Sequence, residues 1–458
     1  MNRETVHGCM TVIGSVLIHF TFGYFYTIGK SSKVLNLGNM APYITSYIIK
    51  KLNPDFNQGN AIWLSAIGFG MQGIAMPLGG ILSKKIGPYF VIVLSCLINS
   101  GSVIVTYFTI KVGFWLTLIT YSATLAIGFG LCYSIVIALS NEWFPERKGL
   151  ITGLIVGGFG AGALVFTPIQ TAIINPNNIQ INATSKIFED PELLDSVPRM
   201  FLIVGSVLLC LQLIGISLVR IKPVKQTDKN VEKEDDVPQL LIEGENNSTE
   251  EPSINKIDYT PREMFRQKSF YMLWALMLCQ TIPITLLSSY FKLFGQIKIK
   301  DDRFLSIVAT CSSIFNSGGR ILWGLIIDKI SFKPSLVFML LLWATAQLTF
   351  PHLNNASEET VKIFFPIWVM VQFFCMSCVF VVMPNATSNI FGQKNFTINY
   401  GIVFFAFSLG SVICAIGASI LVKYEAWVLL YSIGACINLI EVGLTCDFVL
   451  YCEINIMT

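Results

Sequence analysis

The residue with the clearest chemical potential is Arg320. It lies inside the stretch Phe304 to Lys333, an apolar run long enough to cross a bilayer. A fixed cation at that depth costs roughly 2.5–3.5 kcal/mol on insertion scales unless an anion, water or backbone carbonyls meet it. Arginine cannot escape by losing its proton. Asp328 lies one apolar turn too many away, about 12 Å along a helix at about 1.5 Å per residue. Glu142 and Glu441 fall near the ends of apolar runs. Arg320 is therefore expected to meet a ligand, and its two parallel donors fit a carboxylate. Asn316 precedes it by one helical turn and shares its face, placed to hold the guanidinium or to touch the substrate.

Other residues could complete such a site. Tyr24, Tyr26, Tyr133 and Tyr290 offer hydroxyl donors and ring faces around a small anion, against the plainer reading of packing or an interfacial belt. His19, in the middle of the first apolar run, could carry a proton coupled to anion entry. A neutral histidine bonded to a neighbouring helix is the favoured reading of it. Cys375 and Cys378 form a CxxC inside an apolar helix with no His or Cys cluster beside them, which reads as packing and not as a metal site. No cofactor is implied. The chain holds no GxxxxGK[ST] phosphate loop and no nucleophile–base constellation, so neither ATP-driven transport nor an enzyme is expected.

The elements that must position these residues are membrane helices. Apolar residues make up 53% of the 458 and charged residues 13%, about half the charge of a soluble protein. Twelve apolar stretches reach the ~20 residues a span needs: near 9–29, 61–83, 89–110, 113–141, 149–173, 199–220, 269–291, 304–327, 335–351, 362–390, 398–422 and 426–446. They are continuous runs rather than alternating strands, which excludes an outer-membrane barrel. The first lacks a basic flank and a cleavage site and reads as an uncleaved span. Segment 30–38, with Lys30 and Lys33, is polar enough to leave the bilayer. The net charge of +3 shows no nucleic-acid patch, and the cysteines lie almost all in apolar spans, so no structural disulfides are expected.

The organisation is a duplication. Gly80-Ile-Leu-Ser-Lys-Lys-Ile-Gly-Pro-Tyr89 is echoed by Gly324-Leu-Ile-Ile-Asp-Lys-Ile-Ser-Phe-Lys333, and Trp143-Phe-Pro-Glu-Arg-Lys-Gly149 by Ile390-Phe-Gly-Gln-Lys394, at offsets of 244 and 247 residues. Residues 221–268 are polar and mixed in charge, and read as a disordered cytoplasmic linker between a six-span unit at 1–220 and another at 269–458. Such a repeat is the layout of a two-bundle transporter. With both termini cytoplasmic, Lys and Arg are in excess inside only when 220–268 is counted, so the positive-inside rule does not decide orientation. The sequons at Asn182 and Asn355 would then face outside.

These stretches resemble a known family. The GxLxDRxGxR loop pattern with its echo is similar to the signature of the major facilitator superfamily. Several runs resemble its oxalate–formate antiporter branch and the related monocarboxylate porters: Gly128-x-Gly130-x-x-Tyr133 with the Trp143–Gly149 exit, Gly157-Gly-Phe-Gly-Ala-Gly162, Asn316-Ser-Gly-Gly-Arg320 with Trp323, Gly324 and Asp328, and Ile390-Phe-Gly392 with Asn399-Tyr-Gly401. The resemblance covers the chain except 30–38 and 221–268. It implies that Tyr133 faces inward and that the loops holding Lys84 and Asp328 gate the cytoplasmic side. Two departures matter. The aspartate of the first loop motif is Lys84 here. The lysine that the oxalate transporter carries after Asn-Tyr-Gly is Phe407, which would narrow a cavity without charging it.

The expectation is therefore an all-α membrane protein of twelve transmembrane helices in two pseudo-symmetric six-helix bundles, the major facilitator fold. It would be a monomer in lipid, at the plasma membrane, moving a small organic anion by alternating access. The anion would be a monocarboxylate, with a proton or counter-anion as coupling partner. The competing readings are a carrier of an amino acid or other small solute, and a non-transporting receptor on a transporter fold. One cation suits a monoanion better than a dianion, because a second buried carboxylate would lack a partner. Protonated His19 could supply one in acid.

Overall fold

The computed structural model describes residues 3–28, 40–182, 185, 187–223, 258–299, 301–424 and 426–457, and the side chains among these except at 289, 302, 303, 306, 415–423 and 447–457. Segment 30–38 and most of the expected linker, 224–257, lie outside the described residues.

Among the described residues every regular element is helical. The first six long helices are α1 (Arg3–Phe22), α2 (Ile62–Ile86), α3 (Pro88–Thr109), α4 (Leu125–Trp143), α5 (Lys148–Ile174) and α6 (Pro191–Leu218). The second six are α7 (Lys268–Gly295), α8 (Asp302–Ile330), α9 (Phe332–Thr349), α10 (Glu358–Phe391), α11 (Phe396–Lys423) and α12 (Trp427–Met457). Among the described residues eleven of these are long and apolar enough to cross a membrane, α8 being the exception. Its 29 residues reach about 44 Å at ~1.5 Å per residue. What dilutes its apolar character is the polar content of its inner face: Ser312, Ser313, Asn316, Ser317 and Arg320.

Large apolar side chains such as Leu202, Ile203, Leu213 and Ile214 on α6 stand exposed on the outside of the bundle. In a membrane this surface meets lipid, so burial of apolar area does not by itself hold the helices together. Close approach and interhelical hydrogen bonds do so. The two bundles repeat such contacts. In the first, Gln212 Nε2 on α6 donates to Asn99 Oδ1 on α3 at 2.9 Å. In the second, Asn438 Nδ2 on α12 donates to Gln347 Oε1 on α9 at 3.1 Å. The bundles meet chiefly along two seams, α5 on α8 and α2 on α11. A pseudo-two-fold axis that exchanges the halves maps one seam onto the other.

The amphipathic helix Met40–Lys51 is not among the twelve apolar runs. It buries Met40, Ala41, Ile44 and Ile48 and lies against α6 and the α5–α6 connection. Tyr43 stacks on Phe188 with centroids 4.7 Å apart, and the Phe188 N–H donates to Ser46 Oγ at 2.9 Å. Asn182 Nδ2 and Ser185 Oγ donate to Glu189, each at 3.0 Å, and with Lys50 they hold its carboxyl below the usual carboxylate range.

Asn182 and Asn355 belong to connections between α5 and α6 and between α9 and α10, at the end of the bundle away from the linker. Asn182→Cys and Asn355→Cys are expected to label together with an impermeant thiol reagent on one side of sealed cells, and Leu240→Cys on the other. Equal labelling of positions 182 and 240 in sealed cells would contradict the twelve-helix topology.

Candidate functional site

Arg320 is fully buried where the α5–α8 seam reaches the middle of the molecule. A glycine stripe on α5 creates this position. Side chains at Gly149, Gly153 and Gly160 would collide with Gly324 and Asp328, with the Arg320 carbonyl and with Ser317, respectively. Their absence lets the two backbones approach, and the Val156 carbonyl comes within 2.6 Å of Arg320 Nη1, which donates to it. The guanidinium carbon lies 4.7 Å from the centre of the Phe380 ring on α10, a cation–π contact that strengthens when water is excluded.

The remaining donors decide what the site can do. Nε and Nη2 of Arg320 are buried and have no hydrogen-bond partner. They are two adjacent donors of the planar fork, the pair that accepts a carboxylate side-on. Arg320 also lines a cavity of about 10 Å³, the scale of one water molecule. Tyr26, Phe69, Gln72, Tyr133, Phe159 and Phe380 line it with Arg320, Phe404 and Phe407. Both bundles contribute, and no carboxylate is among the lining residues.

Several sequence expectations meet here. Arg320, Tyr26, Tyr133 and Phe407 share the cavity wall. The Phe407 ring packs against Phe404 at 5.2 Å, Phe380 at 5.8 Å and Phe69 at 5.9 Å. Asn316 is half-buried one turn from Arg320 and its Oδ1 is unpartnered, but it does not line the cavity.

Four expectations are corrected. Tyr24 faces Tyr121 and Phe166 inside the first bundle, at 6.1 and 5.8 Å. It sits with Tyr26 in the 3₁₀ turn Gly23–Thr27, where residues two apart point about 120° from each other. Tyr290 packs with Leu286, Cys414 and Leu430 instead of the cavity. His19 stands behind Tyr133, ring centroids 4.8 Å apart, and does not reach the cavity; its ring nitrogens make no hydrogen bond, in place of the expected bond to a neighbouring helix. Glu441 is not near a span end. The helix α12 continues past 446, which sets Glu441 well inside it, fully buried, where it accepts from Gln280 Nε2. It makes no ion pair with Arg320.

Gln72, Phe69, Phe159, Phe380 and Phe404 are site residues that the sequence reading missed. Gln72 carried a usable signal, an amide inside an apolar run. The phenylalanines carried none, because the chain has 34 of them.

The loops flagged for gating lie at the linker end of the seams. Asp328 at the end of α8 accepts from the N–H groups of Gly149 and Leu150 at 2.7 and 2.8 Å. It thereby places a carboxylate on the positive N-terminus of α5 in the other bundle. Its repeat counterpart Lys84, at the end of α2, donates instead to Asn395 Oδ1 at the start of α11.

Two repeated six-helix bundles that pack along two seams are the architecture of a polytopic membrane transporter. The chain belongs to the Major Facilitator Superfamily, whose description matches residues 17–301 and 298–446. Neither that family nor its fold is enzymatic. The chain is 25% identical over 449 residues to apicoplast pyruvate carrier 1 of Toxoplasma gondii, covering 88% of this chain and 81% of the relative. It is 22% identical to the oxalate:formate antiporter of Oxalobacter formigenes, covering 69% and 66%. Human monocarboxylate transporter 12 matches at 28% identity over 24% of this chain and 21% of its own length. Among solved structures, the proton:xylose symporter XylE superposes with a TM-score of 0.69 at 14% identity, covering 97% of this chain and 96% of that one, a likeness of fold.

Proposed function

We propose that this protein is a secondary carrier of a small monocarboxylate, which binds between the bundles and crosses by alternating access. The observation that carries the reading is the pair of unpartnered buried donors on Arg320, a residue that lines a cavity to which both bundles contribute. A buried guanidinium with two open donors is costly to keep unless a ligand completes it. Tyr26 and Tyr133 add hydroxyl groups, and the phenylalanines suit a short carbon skeleton. The similarity to a pyruvate carrier and to an oxalate:formate antiporter supports the same substrate class. The amino-acid alternative is disfavoured, since a substrate ammonium would find no carboxylate among the lining residues.

Counterflow in proteoliposomes tests this directly. Vesicles loaded with unlabelled pyruvate, lactate or formate are expected to accumulate the labelled acid transiently, while vesicles loaded with xylose or alanine are not. Counterflow of alanine at the pyruvate rate would replace the proposal.

A further inference from the structure

The geometry points to a docked linker end that positions Asn395 to receive Lys84, and so sets how firmly the α2–α11 seam closes at the linker face. The inference rests on the alternating-access reading but not on the substrate.

The two seams close by opposite electrostatics. On α5–α8, the Asp328 carboxylate meets two N–H groups at a helix N-terminus, a favourable pairing of anion and dipole worth roughly 0.3–1 kcal/mol or more. On α2–α11, the repeat-equivalent residue is the cation Lys84, and the start of α11 repels it by the same dipole. An acceptor oxygen must stand between them. Asn395 Oδ1 is that oxygen.

An asparagine at the start of a helix ordinarily turns its side-chain oxygen onto its own second or third N–H. Asn395 does otherwise because its amide is held. Its Nδ2 donates to the Tyr259 carbonyl at 2.9 Å. Asn399 Nδ2, one turn on, donates to the same carbonyl at 3.0 Å, filling both of its acceptor directions. With the NH₂ end fixed there, Oδ1 faces Lys84. Asn395 and Asn399 are 5% and 0% exposed, so this orientation is set in the interior.

Tyr259 belongs to the last stretch of the expected linker, which is folded against the second bundle. Its N–H donates to the Phe391 carbonyl at 3.0 Å, and its ring meets Phe391 edge-on at 5.9 Å. Asp258 Oδ1 accepts from Lys394 N–H at 3.0 Å. Gly392 makes the approach possible: its φ is +81°, and a side chain there would collide with Asp258. Beyond Tyr259, a capping box between Thr260 and Glu263 and buried Met264 fasten the segment. The α10–α11 turn, Asn395 and Lys84 thus form one chain of contacts from the linker end to the first bundle.

The test reads the separation of the bundles, not uptake. Nitroxide labels at Lys85→Cys and Lys329→Cys, both exposed, report the linker-face distance by pulsed electron paramagnetic resonance. Asp258→Ala with Tyr259→Gly is expected to raise the longer-distance population about fivefold, the factor carried by one net hydrogen bond. Lys84→Met is expected to do the same, and the combination no more than the larger effect, because both act through one contact. Asn395→Asp should restore the short distance in the Asp258/Tyr259 variant, since a carboxylate needs no held amide to face Lys84. An unchanged distribution in the Asp258/Tyr259 variant, full additivity with Lys84→Met, or no rescue by Asn395→Asp would overturn the inference. These outcomes do not depend on which solute is carried, so they fail separately from the monocarboxylate reading.

Discussion

Arg320→Gln is expected to lower uptake of labelled pyruvate, measured below saturation and normalised to inserted protein, by at least about 100-fold. Two charge-assisted hydrogen bonds to a carboxylate, at roughly 1.5–3 kcal/mol each, account for a loss of that size. The variant should still insert and fold, because it removes a buried charge that no acid compensates. The remaining side-chain contacts of Arg320, to the Val156 carbonyl and the Phe380 ring, are of kinds that glutamine partly replaces. Arg320→Lys should lose at least about tenfold, although it keeps the charge. The ammonium is a point donor without the planar fork, and it stacks less well on an aromatic face. Wild-type uptake by the glutamine variant would remove Arg320 from the binding site. Uptake lost together with surface expression would instead assign it a structural role.

The second large effect concerns selectivity. Phe407→Lys is expected to raise the ratio of oxalate to formate uptake by at least about tenfold. A dianion in a water-excluded cavity needs two cationic partners, and leaving one carboxylate unpaired costs several kcal/mol. The wall described here offers one, Arg320. Phe407 shares that wall, and Phe380 contacts both residues. A lysine at 407 can run its methylene stem along Phe69 and Phe404 and bring its ammonium to the cavity. Unliganded, the variant holds two neighbouring cations, so formate uptake should fall while oxalate uptake rises. Strong oxalate transport by the wild type at neutral pH, or no change in the ratio for Phe407→Lys, would overturn the charge argument.

Much of this molecule was legible in its residues, and the reasons are physical. The twelve apolar runs became twelve long helices, because hydrocarbon admits no unpaired backbone and so dictates helix wherever a long apolar run occurs. Repeated loop motifs imply two bundles, because a duplicated sequence folds twice. Arg320 announced itself because charge is rare and costly at that depth. The glycines of α5 were visible as a composition, but not as the surface that brings Val156 to Arg320.

What only the tertiary structure decided is direction and partnership. Periodicity sets Tyr26 and Tyr24, two residues apart, on different faces, but does not say which face meets the cavity and which the interior of a bundle. Which phenylalanines enclose the site depends on which helix faces which. Glu441 looked terminal because the apolar pattern faded before the helix did. The pairing of Lys84 with Asn395, and of Asn395 with Tyr259, joins residues 311 and 136 positions apart. A sequence displays a lysine that departs from a motif. It does not display the carbonyl, folded back from the linker, that turns an asparagine to meet it.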